Sequence, residues 1–152
     1  MAAKTFVSGA VLYAADLNSA LDSAGWTSYT PTFANFTLGN GTLVAAYTQV
    51  GKAVIARIRV TLGSTSSMGT AMTVSLPVTA NANNALYMPV GNVTMNNATS
   101  PYWGFAIYAT STTATLRYNA NSSSTLSNPS ATLPFTWATG HSFMVTLTYE
   151  AA

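Results

Sequence analysis

The side chains able to do acid/base, nucleophilic or metal chemistry in this 152-residue chain are few and far apart. Asp16, Asp22 and Glu150 are its only carboxylates, so the long stretch between the last two holds none. Glycosidases and aspartic proteases need paired Asp or Glu side chains, and calcium loops need carboxylate oxygens, so none of them can be built there. The chain has no cysteine and a single histidine, His141. That excludes a thiolate nucleophile and a zinc site with the usual three or four nitrogen and sulfur ligands. A hydrolytic His141 would have to activate a hydroxyl while a third group oriented it, and neither Asp22 nor Glu150 is placed for that role. The expectation is a turn histidine in a non-enzymatic chain with no metal and no cofactor.

Side chains suited to binding are easier to find. Arg57 and Arg59 are one residue apart, so on a strand they project from the same side and can meet a ligand, a neighbouring subunit or solvent. Tyr102 and Trp103 follow Pro101 at a strand entrance. Aromatic faces beside Asn and Ser loops hold sugars, because the ring stacks on the apolar side of a pyranose while amides bond its hydroxyls. The same rings also suit a core or a subunit interface, where Trp and Tyr are enriched. A net charge of +2 and a pI near 9.0 come from five cations against three anions. Nucleic-acid binding takes about 6–10 clustered phosphate contacts, and only Lys52, Arg57 and Arg59 lie close together, so no nucleic acid is expected. Charged residues make up 5% of the chain, where ordinary domains carry about 25%. Such a surface has little self-repulsion and favours association. No apolar run reaches the roughly 18 residues of a membrane span, and no signal-peptide h-region follows Met1, so neither membrane insertion nor secretion is expected. The five Asn-x-Ser/Thr sequons, at Asn35, Asn40, Asn92, Asn97 and Asn121, therefore carry no weight.

These residues sit on two kinds of element. Residues 14–24 hold good helix formers, with Leu17 and Leu21 on one face, Asp16 in the first turn and Gly25 as a stop, which predicts one short helix. An apolar arm precedes it. Residues 1–25 are thus expected to be an attachment segment, its contacts supplied by Phe6, Val7, Val11, Leu12, Leu17 and Leu21. From Trp26 the signals are β. Residues 52–62 alternate, putting Val54, Ala56, Ile58, Val60 and Leu62 on a core face and Ile55, Arg57 and Arg59 on the other. Further strands are expected at 42–49, 71–76, 86–95, 102–110, 113–119, 133–137 and 142–150. Phe143, Val145, Leu147 and Tyr149 share one face of the last, and Trp103, Phe105 and Ile107 one face of the strand at 102–110. About eight short strands in a chain of this length predict an all-β fold, an antiparallel jelly-roll-like sandwich over 26–152. The Ser- and Asn-rich stretch 119–130 is expected to be an exposed loop.

Two segments resemble a known family. Phe6-Val-Ser-Gly-Ala-Val-Leu-Tyr-Ala-Ala-Asp-Leu-Asn18 is similar to the N-terminal F-x-x-G-x-x-L-T-A-A-D-L-N segment of tailed-bacteriophage virion proteins of the minor tail or fibre type. Trp26-Thr-Ser-Tyr-Thr-Pro-Thr-Phe33, Gly39-Asn-Gly-Thr-Leu43 and Ala46-Tyr-Thr-Gln-Val-Gly-Lys52 resemble the β module that often follows it, and Leu76-Pro77-Val78 extends the likeness. Tyr13 departs from the pattern, standing where it has a helix-capping Thr. The resemblance implies a structural protein on the virion exterior, assembled in the host cytoplasm. It further implies a homotrimer that contacts other virion proteins and the host surface and has no catalytic duty. A capsid decoration protein, bound to the major capsid protein, shares these features. A carbohydrate-binding module of a cell-surface system, with a host glycan as ligand, is the reading from a different class.

Overall fold

The computed structural model describes Gly9, Tyr13 and residues 25–83, 88–120 and 125–152. The expected helix at 14–24 and the arm contacts Phe6, Val7, Val11, Leu12, Leu17 and Leu21 lie outside the described residues, as do the first two residues of the strand expected at 86–95.

Ten strands follow one another: β1 (Thr27–Ser28), β2 (Phe33–Thr37), β3 (Thr42–Val50), β4 (Ala53–Thr61), β5 (Ser67–Ser75), β6 (Pro89–Asn96), β7 (Pro101–Thr110), β8 (Thr113–Asn119), β9 (Leu126–Ser127) and β10 (Ser142–Glu150). No helix occurs among the described residues. Every pairing is antiparallel, and the strands join in one sheet of order β1-β3-β4-β10-β6-β7-β8-β5-β2, with β9 added to β8. The all-β, antiparallel expectation holds. In place of the two stacked sheets expected of a jelly-roll-like sandwich, the described residues form a single sheet curled into a half-barrel.

Chain length forces the curl. β2 and β3 lie seven strand spacings apart, about 34 Å in a flat sheet, yet residues 38–41 join them and reach only about 17 Å. The link from β1 to β2 through residues 29–32 meets the same limit. The sheet must therefore roll until its ends approach each other. Phe33 and Phe36 of β2 accordingly meet Phe143 of β10 edge to face, at 5.9 and 5.3 Å between ring centroids. A bulge at Asn35, whose φ is +59°, lets both Phe33 and Phe36 face inward although they are three residues apart.

Two loops clasp the rolled sheet. The Asn40 N–H donates to Thr65 Oγ1 at 2.9 Å. Asn40 Oδ1 accepts from the Thr65 N–H at 2.9 Å and from Thr65 Oγ1 at 3.0 Å, and its Nδ2 donates to Ser64 Oγ at 3.0 Å. Ser66 Oγ donates to the Leu38 carbonyl and accepts from the Gly63 N–H. Gly39, at φ +56°, allows this approach, because a Cβ there would strike the Thr65 backbone. The turn at 138–141 is tied in as well: Leu62 N–H donates to the His141 carbonyl, and Gly140 N–H to the Leu62 carbonyl.

The concave side holds the core. Val54, Ala56, Ile58 and Val60 of β4 and Phe143, Val145, Leu147 and Tyr149 of β10 are buried, as their alternation predicts, with Leu62 just beyond β4. Met68, Met72 and Val74 of β5, Val93 and Met95 of β6, and Leu116 and Tyr118 of β8 complete it. Three expectations are corrected. In β7 Ile107, expected on one face with Trp103 and Phe105, is buried, while those two face outward and Gly104 and Ala106 line the interior. Gly104 leaves no alternative, since a Cβ there would run into the Arg117 carbonyl oxygen. Residues 133–137 form no strand: Pro134 lacks an N–H for a ladder, and Phe135 and Trp137 pack on each other at 4.5 Å, the Trp137 indole N–H bonding the Leu133 carbonyl at 3.2 Å. Finally, the stretch 119–130 is anchored where it is described, by β9 on β8 and by buried Pro129.

Asn40→Ala removes three side-chain bonds from the clasp and should cost about 1–3 kcal/mol of stability. Urea denaturation would show this as a lower midpoint, and an unchanged midpoint would mean that the loops do not hold the sheet closed.

Candidate binding face

Curling leaves the convex side of the sheet to solvent, and strand register fixes which side chains meet there. One row across it runs Val44, Arg59, Met144, Thr94, Trp103 over β3, β4, β10, β6 and β7. The next runs Ser28, Ala46, Arg57, Thr146, Asn92, Phe105, Arg117 from β1 to β8. Val44, Ile55, Met144, Trp103 and Phe105 are all exposed on this face. Arg57 and Arg59 project from it together, as expected. Arg57 stacks on the exposed Trp26 ring, its guanidinium carbon 3.8 Å from the centroid, an attraction worth about 0.5–1 kcal/mol at an exposed site. Arg59 stands between Val44 and Met144.

Tyr102 and Trp103, the other expected contacts, are split by strand alternation. Tyr102 turns inward against Phe135, at 5.3 Å. Trp103 is 65% exposed on the outer face. Both line a shallow cleft of about 280 Å³ together with Ser100, Pro101 and Asn119. This lies close to the lower end of the roughly 300–1,000 Å³ range of small-molecule sites. The two arginines expected as contacts are not brought to this cleft: β4 and β7 are three strand spacings apart, about 14 Å. Arg117 is brought near it instead. It lies opposite Phe105 on the outer face, and its Nε is buried with no hydrogen-bond partner. Alternation in β8, with Ala114, Leu116 and Tyr118 inward, was the signal that pointed Arg117 and Asn119 outward.

His141 has a local task. Its Nδ1 accepts the Ala138 N–H at 3.1 Å and its ring stands edge-on to Phe135 at 5.3 Å, which fixes the turn before β10. Among the described residues no three His, Cys, Asp or Glu side chains cluster as metal ligands do.

Inside the half-barrel the Tyr149 hydroxyl donates to the Val78 carbonyl at 2.8 Å and accepts the Val78 N–H at 3.1 Å, tying the segment after β5 to β10. Burial pushes its pKa up to about 12; the Val78 bond opposes the rise and the neighbouring Tyr47 adds to it. Burial, and then Tyr149, also raise the pKa of Tyr29. The folded chain therefore holds these phenolic protons more tightly than the unfolded chain, where tyrosine titrates near 10. The stability they contribute is complete below about pH 10 and is lost as pH climbs through 12. A urea midpoint that stays flat to about pH 9 and falls between about pH 10 and 12 is expected. Tyr149→Phe should lower the neutral-pH midpoint by the loss of the Val78 bonds, about 1–2 kcal/mol, and flatten part of the alkaline fall. A midpoint independent of pH up to 12 would show that neither phenol is held neutral by the fold.

No known protein family, curated protein or solved structure matches this chain.

Proposed function

We propose that this chain is a non-enzymatic structural protein on the exterior of a tailed-bacteriophage particle, of the minor tail or fibre type, contacting the host surface. The outer face carries the binding part of this reading. Monomeric proteins rarely leave a large contiguous apolar patch in water unless it meets a partner, and here Val44, Met144, Trp103 and Phe105 stand in two adjacent register rows beside three arginines. The likeness of residues 6–18 and 26–52 to virion proteins supplies the setting. In this reading residues 1–25 are the arm and short helix that attach the chain to other virion proteins, and the curled sheet is the sandwich-like body that extends from them. Three copies associate through charge-poor surfaces.

Gold-labelled antibody against the chain, applied to intact particles of a phage that encodes it, should decorate the tail. Label confined to the head would replace the tail role by capsid decoration, bound to the major capsid protein, and particles without label would overturn the virion reading. A chain starting at Trp26 should keep its β-type circular dichroism spectrum and fail to join particles. Incorporation of the shortened chain would place attachment on the sheet.

A further inference from the structure

One end of the outer face, over β3, β4 and β10, is apolar and cationic with nothing laid across it among the described residues except Trp26. Val44, Ile55 and Met144 are exposed there, Val44 at 69%. Register sets Arg59 between Val44 and Met144, and Arg57 between Ala46 and Thr146. The only carboxylate side chain among the described residues is Glu150, which bonds Asn81 Nδ2 at 3.3 Å. It sits four positions along β10 from Thr146, the residue opposite Arg57, so neither arginine has a carboxylate beside it in register.

The occupant that fits is the chain's own segment 14–24. Gly25 leads into Trp26, whose ring lies on the Arg57 guanidinium, so the chain enters the described fold over the outer face of β4. In the helical form expected from its sequence the segment is about 16 Å long, and Ile55 to Arg59 covers about 14 Å of β4. Its width of about 10 Å matches two strand spacings, from β3 across β4 to β10. Leu17 and Leu21 form one stripe, and Asp16 and Asp22, the other two carboxylates of the chain, flank it on either side. The two acids are about 9 Å apart along the helix axis, and Arg57 and Arg59 are about 7 Å apart along β4. A segment doubling back from Gly25 with its leucines down therefore brings Asp22 level with Arg57 and Asp16 level with Arg59. A second copy of the face fits worse, because it sets arginine against arginine.

We infer that in the free chain residues 14–24 dock over β3, β4 and β10, with Leu17 and Leu21 on Val44, Ile55 and Met144 and the two aspartates beside the two arginines. Trp103 and Phe105 on β7 lie beyond the width of such a helix and stay open to another partner. The leucines expected to hold the chain on a particle are then covered until a partner takes them. That consequence rests on the virion reading; the docking itself does not.

The chain has no cysteine, so Ser19→Cys gives a single point for a nitroxide, on the side of the expected helix away from Leu17 and Leu21. In the full chain the label should broaden the methyl resonances of Val44, Ile55 and Met144 in NMR and leave Thr73 of β5, on the far wall of the half-barrel, sharp. Leu17→Ser combined with Leu21→Ser should abolish the broadening. Asp16→Asn and Arg59→Gln should each weaken docking by about 1.5- to fivefold, the worth of an exposed ion pair, and the double variant should weaken it no further. Asp16→Glu keeps the charge and should retain the broadening, which serves if Arg59→Gln does not fold. Nitroxide-bearing chain is also refolded together with isotope-labelled chain that carries no nitroxide. Broadening in that mixture as strong as within one chain would give the face to a neighbouring copy's segment and overturn docking in the same chain. No broadening at Val44 and Met144, broadening that survives loss of both leucines, or additive effects of Asp16→Asn and Arg59→Gln would overturn it as well. Every arm reads the purified chain, so failure here is separate from failure of the virion reading.

Discussion

The rest of the structure depends on connections too short for a flat sheet. Strands β2 and β3 are neighbours in sequence and nearly opposite ends of the strand order, and the four residues between them cannot span the flat separation. The sheet rolls, and once rolled it has an inside. The inside accepts Phe143, Ile58, Met72, Met95 and Leu116, all fully buried or nearly so, each contributing about 1.5–3 kcal/mol by leaving water. The clasp between Asn40 and Thr65 then resists unrolling at the one place where both ends of the sheet send a loop. Its polar bonds are individually modest. Their leverage comes from position, because unrolling exposes the whole concave face at once.

The same curl makes the candidate binding face. Rolling drives alternate residues of every strand into the core and leaves their neighbours on a convex surface, where side chains splay apart. That surface carries one tryptophan and arginine pairing. At Trp26 and Arg57 the cation lies over the ring, so each group satisfies the other and the pair pins the start of the sheet to β4. Trp103 and Arg117 are diagonal neighbours in the register, and Trp103 borders a shallow cleft.

Strict alternation was legible in the sequence, and interruption of it was not. β4 and β10 were readable residue by residue, because in each every second residue over nine positions is apolar and buried. β2 was invisible: Phe33 and Phe36 are three apart, a spacing with no strand period, and only the bulge at Asn35 turns both inward. In β7 the sequence left open which side the stripe of Trp103, Phe105 and Ile107 faces. Trp103 and Phe105 look like a core stripe, but the approach of the Arg117 backbone demands Gly104 on the inner side, and no single-strand pattern reports on a neighbour's carbonyl. Pro134 was the available warning against a strand at 133–137. Of the candidate site, Trp103 was found by its chemistry, whereas Arg117 and Asn119 needed the register of β7 against β8 before they could be placed beside it.

Amide hydrogen exchange followed residue by residue tests most directly whether the clasp holds the sheet closed. The Asn40, Gly41, Leu62 and Thr65 N–H groups, all hydrogen-bonded at the junction, should exchange only with global opening, with the same free energy as core amides of β4 and β10. Fast exchange of these four while β4 and β10 stay protected would show that the loops open freely on a sheet that keeps its curl without them.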